Sequence, residues 1–404
     1  MPGSSDKSEN SIYIPRRFFI FPIMVIFLLL GFLYFKTQLF KSSPSDGKIK
    51  AEAIKINNEC KKLTTIKSCY NEKFYKLSKN TDLDYSIEVL NTLQKINPQA
   101  STGCHLIAHR ITQAETEKNP ESWKEILQKV SPATCTGGFL HGVLEVHAQN
   151  DPKFTINNST VDSICKDLLS GTFTGERSCY HNMGHLMLIQ TDADLNISID
   201  NCQKLTGSLP SYECLSGAFM ENLTAENLVA HGYLKERIPW TEERATEIEA
   251  LCNTYEGQAA KACWKELSYI YTSIYKQDPK KLLDACNKAP EKTSRDECYV
   301  YGVGNIVNMP RVMNGNIINL CSGVKDDKSV FDYCMRQVVW TLVTSNTNNI
   351  DRAIKLCAAA PEKYKAECFY NIVDYLQMNK VDKSIINSTC DKITPSKRPD
   401  SCVA

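Results

Sequence analysis

The sequence predicts an all-α protein, in which an N-terminal transmembrane helix precedes an α-solenoid of two-helix repeats cross-linked by disulfides. Three observations lead to this fold class. A long apolar run lies near the N-terminus, 18 cysteines follow it at regular spacing, and apolar residues recur at helical intervals after the cysteines. The repeat length of about 35 residues is typical of two-helix solenoids.

The apolar run covers residues 18–35, FFIFPIMVIFLLLGFLYF, without a charged side chain. As a helix it would reach roughly 27 Å, close to the thickness of the hydrocarbon core of a bilayer. No small-x-small cleavage site follows it, so we expect an uncleaved signal anchor at 16–36. This single span would attach the protein to a membrane, between a short cytoplasmic tail (1–15) and a linker (37–50).

Charges do not orient this anchor, because Arg16 and Arg17 on one side are balanced by Lys36 and Lys41 on the other. The cysteines orient it, since all 18 follow the apolar run and such a number is typical of an oxidising compartment. We therefore expect the C-terminal body to lie outside the cytoplasm.

Composition limits the partners of that body. The chain has 47 Lys+Arg against 46 Asp+Glu, a formal net charge of +1. It lacks the basic excess that is typical of nucleic-acid-binding proteins, so we expect no nucleic-acid partner. A hydrophobic content of 42% with 23% charged residues also excludes wholesale disorder.

The cysteines after residue 240 form five pairs, with 10 to 12 residues between the members of each pair. Successive pairs begin 33 to 36 residues apart, and three earlier pairs are similar, the first of them shorter. The eight short-range pairs are Cys60–Cys69, Cys165–Cys179, Cys202–Cys214, Cys252–Cys263, Cys286–Cys298, Cys321–Cys334, Cys357–Cys368 and Cys390–Cys402.

Each pair predicts a helix hairpin. A first helix ends at the first cysteine, a Pro/Glu/Lys loop follows, and a second helix begins at the other cysteine. The segments Cys286-NKAPEKTSRDE-Cys298 and Cys357-AAAPEKYKAE-Cys368 are nearly the same text. A disulfide that closes a loop of about a dozen residues stabilises the fold by roughly 3 kcal/mol in the chain-entropy treatment.

Two cysteines, Cys104 and Cys135, are left over. Both precede segments of the second-helix kind, CHLIAHRI and CTGGFLHGVLE, and neither has a partner in the preceding helix. By elimination we expect them to bond to each other and to fasten two neighbouring helices near their starts. The alternative is free thiols, because a sequence does not prove a pairing.

This pattern resembles the cysteine-rich Sel1-like and tetratricopeptide-type repeats of bacterial secreted proteins, which cross-link a helix hairpin once per repeat. The resemblance covers roughly residues 160–402, although the cysteine pairs are wider and the Gly/Ala signature of the family is largely missing. It implies a scaffold that binds a protein or peptide partner on an extended surface. Aromatic residues of the second helices, such as Trp264 and Tyr299, are candidates for that contact or for the core between repeats.

The histidines mark one part of the chain, because six of the seven lie between residues 105 and 185. Most belong to i, i+4 combinations, whose members share a helix face. These combinations are His105 with His109, His141 with Glu145, and His181 with His185. Second helices of consecutive repeats lie side by side in a solenoid, so we expect the three combinations to converge, with Glu221 in a similar place on the next helix.

Imidazole and carboxylate groups from facing helices predict a site for a transition metal: zinc, iron, copper or manganese. The alternative is that these histidines are hydrogen-bonded core residues beside glycine-rich helix starts. A zinc-protease HExxH motif is absent. A closed site would be structural, whereas an open position with Glu145 or Glu221 as general base would permit catalysis.

We therefore divide the body into a His-containing helical repeat region with the candidate metal site (51–235) and a region of Cys-stapled repeats (236–404). An unusually long step from Cys202 to Cys252 predicts an insertion or a domain boundary between them. Two functions follow as expectations. One is a membrane-anchored extracytoplasmic scaffold for protein or peptide binding that carries a metal site, and the other is a metal-dependent hydrolase or oxidoreductase that uses the histidines of 105–185.

Overall fold

The computed structural model describes residues 46–63, 66–97, 100, 103–130, 134–151, 153–168, 173–223, 238–307, 317–345, 349–379 and 381–402. The chain divides into two units, Met1–Ala51 and Glu52–Ala404, and the site described below lies within the second. The anchor predicted at 16–36 lies outside the described residues. Among the helices that are described, none is long and apolar enough to cross a membrane.

The described residues form 18 α-helices and no β-strand, so the all-α prediction is confirmed. The helices are α1 (Asp46–Cys60), α2 (Ile66–Asn80), α3 (Leu83–Ile96), α4 (Cys104–Lys118), α5 (Trp123–Lys129), α6 (Gly138–Asn150), α7 (Asn158–Val161), α8 (Phe173–Gln190), α9 (Leu195–Gln203), α10 (Ser208–Leu223), α11 (Glu242–Cys252), α12 (Gly257–Ile274), α13 (Pro279–Cys286), α14 (Lys292–Val307), α15 (Lys328–Ser345), α16 (Ile350–Ala359), α17 (Glu362–Met378) and α18 (Lys383–Asp391).

Several first helices of the hairpins begin at a side chain that caps their N-terminal N–H groups. Asp194 caps α9, Thr241 caps α11, Asp278 caps α13 and Asp382 caps α18, each by accepting a hydrogen bond from a backbone N–H of the first turn. All four of these helices end at a cysteine or one residue after it. A capped start and a disulfide-bonded end therefore define the first half of the repeat.

The second helices begin earlier than the sequence analysis predicts. Helices α8, α10, α12, α14, α15 and α17 each start six residues before their cysteine. In α14 the segment 292–297, interpreted above as loop, already forms helical turns, because it contains neither glycine nor proline. Each of these disulfides therefore reaches the second turn of the second helix.

All 18 cysteines are disulfide-bonded. Eight of the nine bonds join cysteines 9 to 14 positions apart, and Cys104–Cys135 spans 31 positions. The eight short-range pairs are those that the spacing indicates, and Cys104–Cys135 is the pair expected by elimination. Cys104 begins α4 and Cys135 lies in the 3₁₀ turn before α6, so this bond fastens the starts of two neighbouring second helices.

The second helices pack against one another in chain order. Contacts run from α2 to α4, α6, α8, α10, α12, α14, α15 and α17 in succession. Helix α15 also contacts the turn Thr134–Gly137 at the start of α6. Trp264, Tyr271 and Tyr299 are at most 1% exposed, so these aromatic side chains belong to the core between helices. The insertion expected after Cys202 falls partly on residues 224–237, outside the described residues, and the boundary at 235/236 stays a prediction.

Candidate metal centre

Glycines allow helices α4 and α6 to cross with their backbones in contact. A Cβ atom added to Gly138 or to Gly142 would lie 2.2 Å from the carbonyl oxygen of His105 or His109, respectively. Any larger residue would push the helices apart. This close crossing brings the Nε2 atom of His109 within 2.6 Å of the Oε2 atom of Glu145, and both side chains are buried.

Helices α8 and α10 cross in the same way. A Cβ atom on Gly217 would lie 1.9 Å from the carbonyl oxygen of His181, and Gly184 faces the backbone of α10 at a similar distance. Here the Nδ1 atom of His185 lies 2.7 Å from the Oε2 atom of Glu221, and neither side chain is exposed to solvent. The described residues thus include two buried His–Glu pairs, which we call the first dyad (His109, Glu145) and the second dyad (His185, Glu221).

His141 lies between the two dyads. The centroid of its ring is 4.7 Å from that of His109 and 4.5 Å from that of His185, against which it stacks. His141 is 4% exposed and is therefore buried, as are the four residues of the dyads. We call His141 and the two dyads together the cluster. Two groups of three could each hold a metal ion: His141 with the first dyad and His141 with the second dyad. Within each group, one ligand atom per residue lies within 4.8 Å of the others.

The second dyad sets the tautomer of its histidine. A buried carboxylate accepts hydrogen bonds, so Glu221 favours a proton on Nδ1 of His185 and leaves the lone pair on Nε2. That Nε2 atom is buried, and it has no hydrogen-bond partner in the part of the chain that the structure describes. A ring nitrogen of this kind is available to a metal ion.

Two further histidines border the cluster without belonging to either group of three. The ring of His105 lies 5.9 Å from that of His141, and the ring of His181 meets that of His185 edge-on at 4.8 Å. Burial holds the pKa of His181 well below its ordinary value, and the neighbouring His185 and Lys265 lower this pKa further. His181 is therefore neutral at physiological pH, with its Nε2 atom 3.2 Å from the sulfur of Met220.

The structure thus places four of the six predicted metal ligands in the two groups and adds Glu221, which was predicted from the sequence as a candidate general base. Both candidate bases, Glu145 and Glu221, contact a histidine instead of lying open to solvent. His147 lies outside the cluster, where it stacks on Trp123 with ring centroids 4.0 Å apart.

A buried ionic network on α8, α10 and α12 was not foreseen from the sequence. The Nε atom of Arg177 donates to Glu213 at 2.7 Å, and the Nζ atom of Lys265 donates to Ser216 at 2.6 Å. Ser216 in turn contacts Glu266 at 2.5 Å. Burial opposes ionisation of Glu213, but Arg177 and Lys265 outweigh it and lower the pKa of this carboxyl. Burial raises the pKa of Glu266.

One sequence signal could have revealed part of this network. A glutamate directly precedes the second cysteine of three hairpins, at Glu213, Glu297 and Glu367. A charged residue at this position faces the neighbouring second helix in the first two cases: Glu213 contacts Arg177, and Glu297 contacts Tyr333 at 3.1 Å. The remaining members are scattered along the chain and show no spacing pattern.

Comparison with known proteins adds nothing to this geometry. No protein-family model matches the chain, and neither a curated protein nor a solved structure matches it. The resemblance to Sel1-like repeats is therefore not supported by a match, and function has to be argued from the site.

Proposed function

We propose that this chain is an extracytoplasmic α-solenoid, stapled by disulfides, that holds a transition-metal ion in the cluster formed by α4, α6, α8 and α10. One observation carries the proposal. Five buried histidine and glutamate side chains form two groups of metal-ligand geometry, and the Nε2 atom of His185 within them is a buried nitrogen with no hydrogen-bond partner among the described residues. Burying such a nitrogen is costly unless a ligand uses its lone pair.

The donor set limits the metal. Imidazole nitrogen and carboxylate oxygen suit zinc, iron, copper and manganese, whereas calcium and magnesium prefer sites made entirely of oxygen. The two carboxylates would offset the charge of a divalent ion in this buried cluster. Protons compete with a metal ion for imidazole nitrogen and carboxylate oxygen, so metal affinity would fall as the pH falls.

Burial favours an ion-holding role over hydrolysis of a large substrate. All five residues of the cluster are at most 8% exposed, so a peptide, sugar or nucleotide would not contact an ion bound there without a rearrangement of the helices. The alternative, a metal-dependent hydrolase or oxidoreductase, is therefore restricted to reactants the size of water or dioxygen. We favour the metal-holding scaffold.

The remaining parts of this proposal are the location and the partner. Nine disulfides support an oxidising compartment outside the cytoplasm. Attachment to the membrane through 16–36 and a protein or peptide partner are proposed from the sequence alone. The serial packing of the second helices supports the partner, because solenoids of this kind present extended surfaces for binding.

Metal analysis of the full chain tests the proposal. The protein is purified with its disulfides intact, and bound metals are measured by mass spectrometry before and after incubation with Zn²⁺ and removal of excess ion. We expect a whole number of tightly bound ions in the wild type and none in the double variant His109→Ala/His185→Ala. The matched control His147→Gln changes a histidine outside the cluster and should retain the metal. A folded wild-type protein that binds no metal would refute the proposal.

A further inference from the structure

We infer that the cluster holds two metal ions, one at each dyad, with His141 as a ligand that the two ions share. This inference rests on the proposed function and deepens it. It has two independent supports: an internal duplication of the dyads, and the distances among the five ligand atoms.

The dyads are equivalent positions of a duplicated unit. In each dyad the histidine precedes the glutamate by 36 residues, and the second dyad follows the first by 76 residues. The same offset relates His105 to His181, whose carbonyl oxygens face the glycines at the two helix crossings. Two helix crossings made close by glycines thus present the same donor pair, one imidazole and one carboxylate, at two places.

His141 has no counterpart under this offset. Shifting His141 by 76 residues leads to Gly217, so the second unit has a glycine where the first has an imidazole. That absence of a side chain at Gly217 lets α10 approach the backbone of α8 to within contact. His141 stacks on His185 across the junction of the units. It supplies the third donor of both groups, since the second unit has none of its own at this position.

The distances separate two ions from one. Ligand atoms of a single first-row ion are bound at about 2.0–2.2 Å, so no two of them lie more than about 4.4 Å apart. The five donors of the cluster fall into two groups of three within 4.8 Å, and only His141 belongs to both groups. Each group spans at most 4.8 Å, close to that limit, and contains one carboxylate for its divalent ion. A single ion would leave the other dyad outside its reach.

Sharing of His141 has a defined chemical form. A neutral imidazole carries one ring proton and one lone pair, so it binds one ion. Binding of the second ion through the other nitrogen replaces the remaining ring proton, which is released to solvent, and the ring becomes an imidazolate. The second ion should therefore bind more weakly than the first, and its binding should release the remaining ring proton of His141.

Titration of the full chain with Co²⁺ tests this inference. Bound cobalt is counted by mass spectrometry, and coupling between ions is followed by electron paramagnetic resonance. We expect two ions per wild-type chain, with a signal that weakens as the second ion binds because bridged ions couple. Glu145→Gln and Glu221→Gln, which change one dyad each, should each bind one ion, and His147→Gln should bind two.

The outcomes separate this inference from the proposed function. One ion per wild-type chain would overturn the two-ion arrangement and leave the metal-binding proposal standing. No ion in a folded, disulfide-bonded wild-type chain would overturn both. Two ions whose signals stay independent would refute the shared His141. The wild-type count decides the matter even if a dyad variant does not fold.

Discussion

A single methyl group at the crossing of α8 and α10 should separate the second dyad. Replacing Gly217 by alanine would put a Cβ atom 1.9 Å from the carbonyl oxygen of His181 and 3.1 Å from the Cα atom of Gly184. Both are backbone atoms, which cannot rotate away as a side chain can. Real Cβ contacts are essentially never shorter than 3.0 Å, so the two helices must move apart by about 1 Å.

The cost follows from three contributions. Overpacking costs about 1–3 kcal/mol, and weakening the charged hydrogen bond between His185 and Glu221 costs about 1.5–3 kcal/mol. Alanine in place of a helical glycine offsets these by about 1 kcal/mol. We therefore expect Gly217→Ala to destabilise the protein by about 1.5–5 kcal/mol and to reduce metal retention at the second dyad.

Urea unfolding followed by far-ultraviolet circular dichroism, with all disulfides oxidised, measures this change. Gly304→Ala is the matched control, because it also lies inside a buried helix but meets only side-chain atoms, the nearest of them the Oγ1 atom of Thr341 at 3.0 Å. We expect the control to change stability by less than about 1 kcal/mol. Equal unfolding midpoints for Gly217→Ala and Gly304→Ala would refute the explanation of the close crossing.

Three further predictions concern the ionic network and the long disulfide. Lys265→Met should destabilise the protein by about 3–5 kcal/mol, since it leaves Glu213 and Glu266 buried with one cation fewer, and an unchanged urea midpoint would contradict this. The pKa of Glu213 is lowered in the folded state, so its stabilising contribution is complete above its ordinary value of 4.5 and is lost as the pH falls through the folded-state pKa. Glu213→Gln should therefore be less stable than the wild type at pH 7 and should lose less stability than the wild type on acidification below pH 4.5, as measured by urea midpoints at each pH. The double variant Cys104→Ala/Cys135→Ala opens a 31-residue loop and should cost roughly 4 kcal/mol, and an unchanged melting temperature would show that this bond adds no constraint.

Much of the fold could be predicted because the disulfides are local. A cysteine pair such as Cys286–Cys298 joins neighbouring helices and so marks one hairpin. The step from one pair to the next gives the repeat length. The starts of the second helices were predicted less well. Residues 292–297 are charged and polar, and such residues occur both in loops and on the exposed face of a first helical turn.

The candidate site was predicted in part, for a reason that lies in helix geometry. Helical periodicity places His141 and Glu145 on one face, and the sequence alone reveals that. It does not reveal which faces meet, because this depends on how closely two helices approach. Glu221 joins the second group of ligands and His181 does not, although both lie on the α8/α10 pair.

The sequence by itself thus determined the all-α class, the disulfide-bonded hairpins and the set of residues among which metal ligands had to be found. These features depend on local spacing, which a linear chain carries in full. The tertiary structure decided which of those residues converge, because glycines such as Gly142 and Gly217 let helix backbones touch and so select the side chains that meet. It also decided the pairing of Arg177 with Glu213, since burial makes an unpaired charge costly and only the folded chain brings the opposite charge to it.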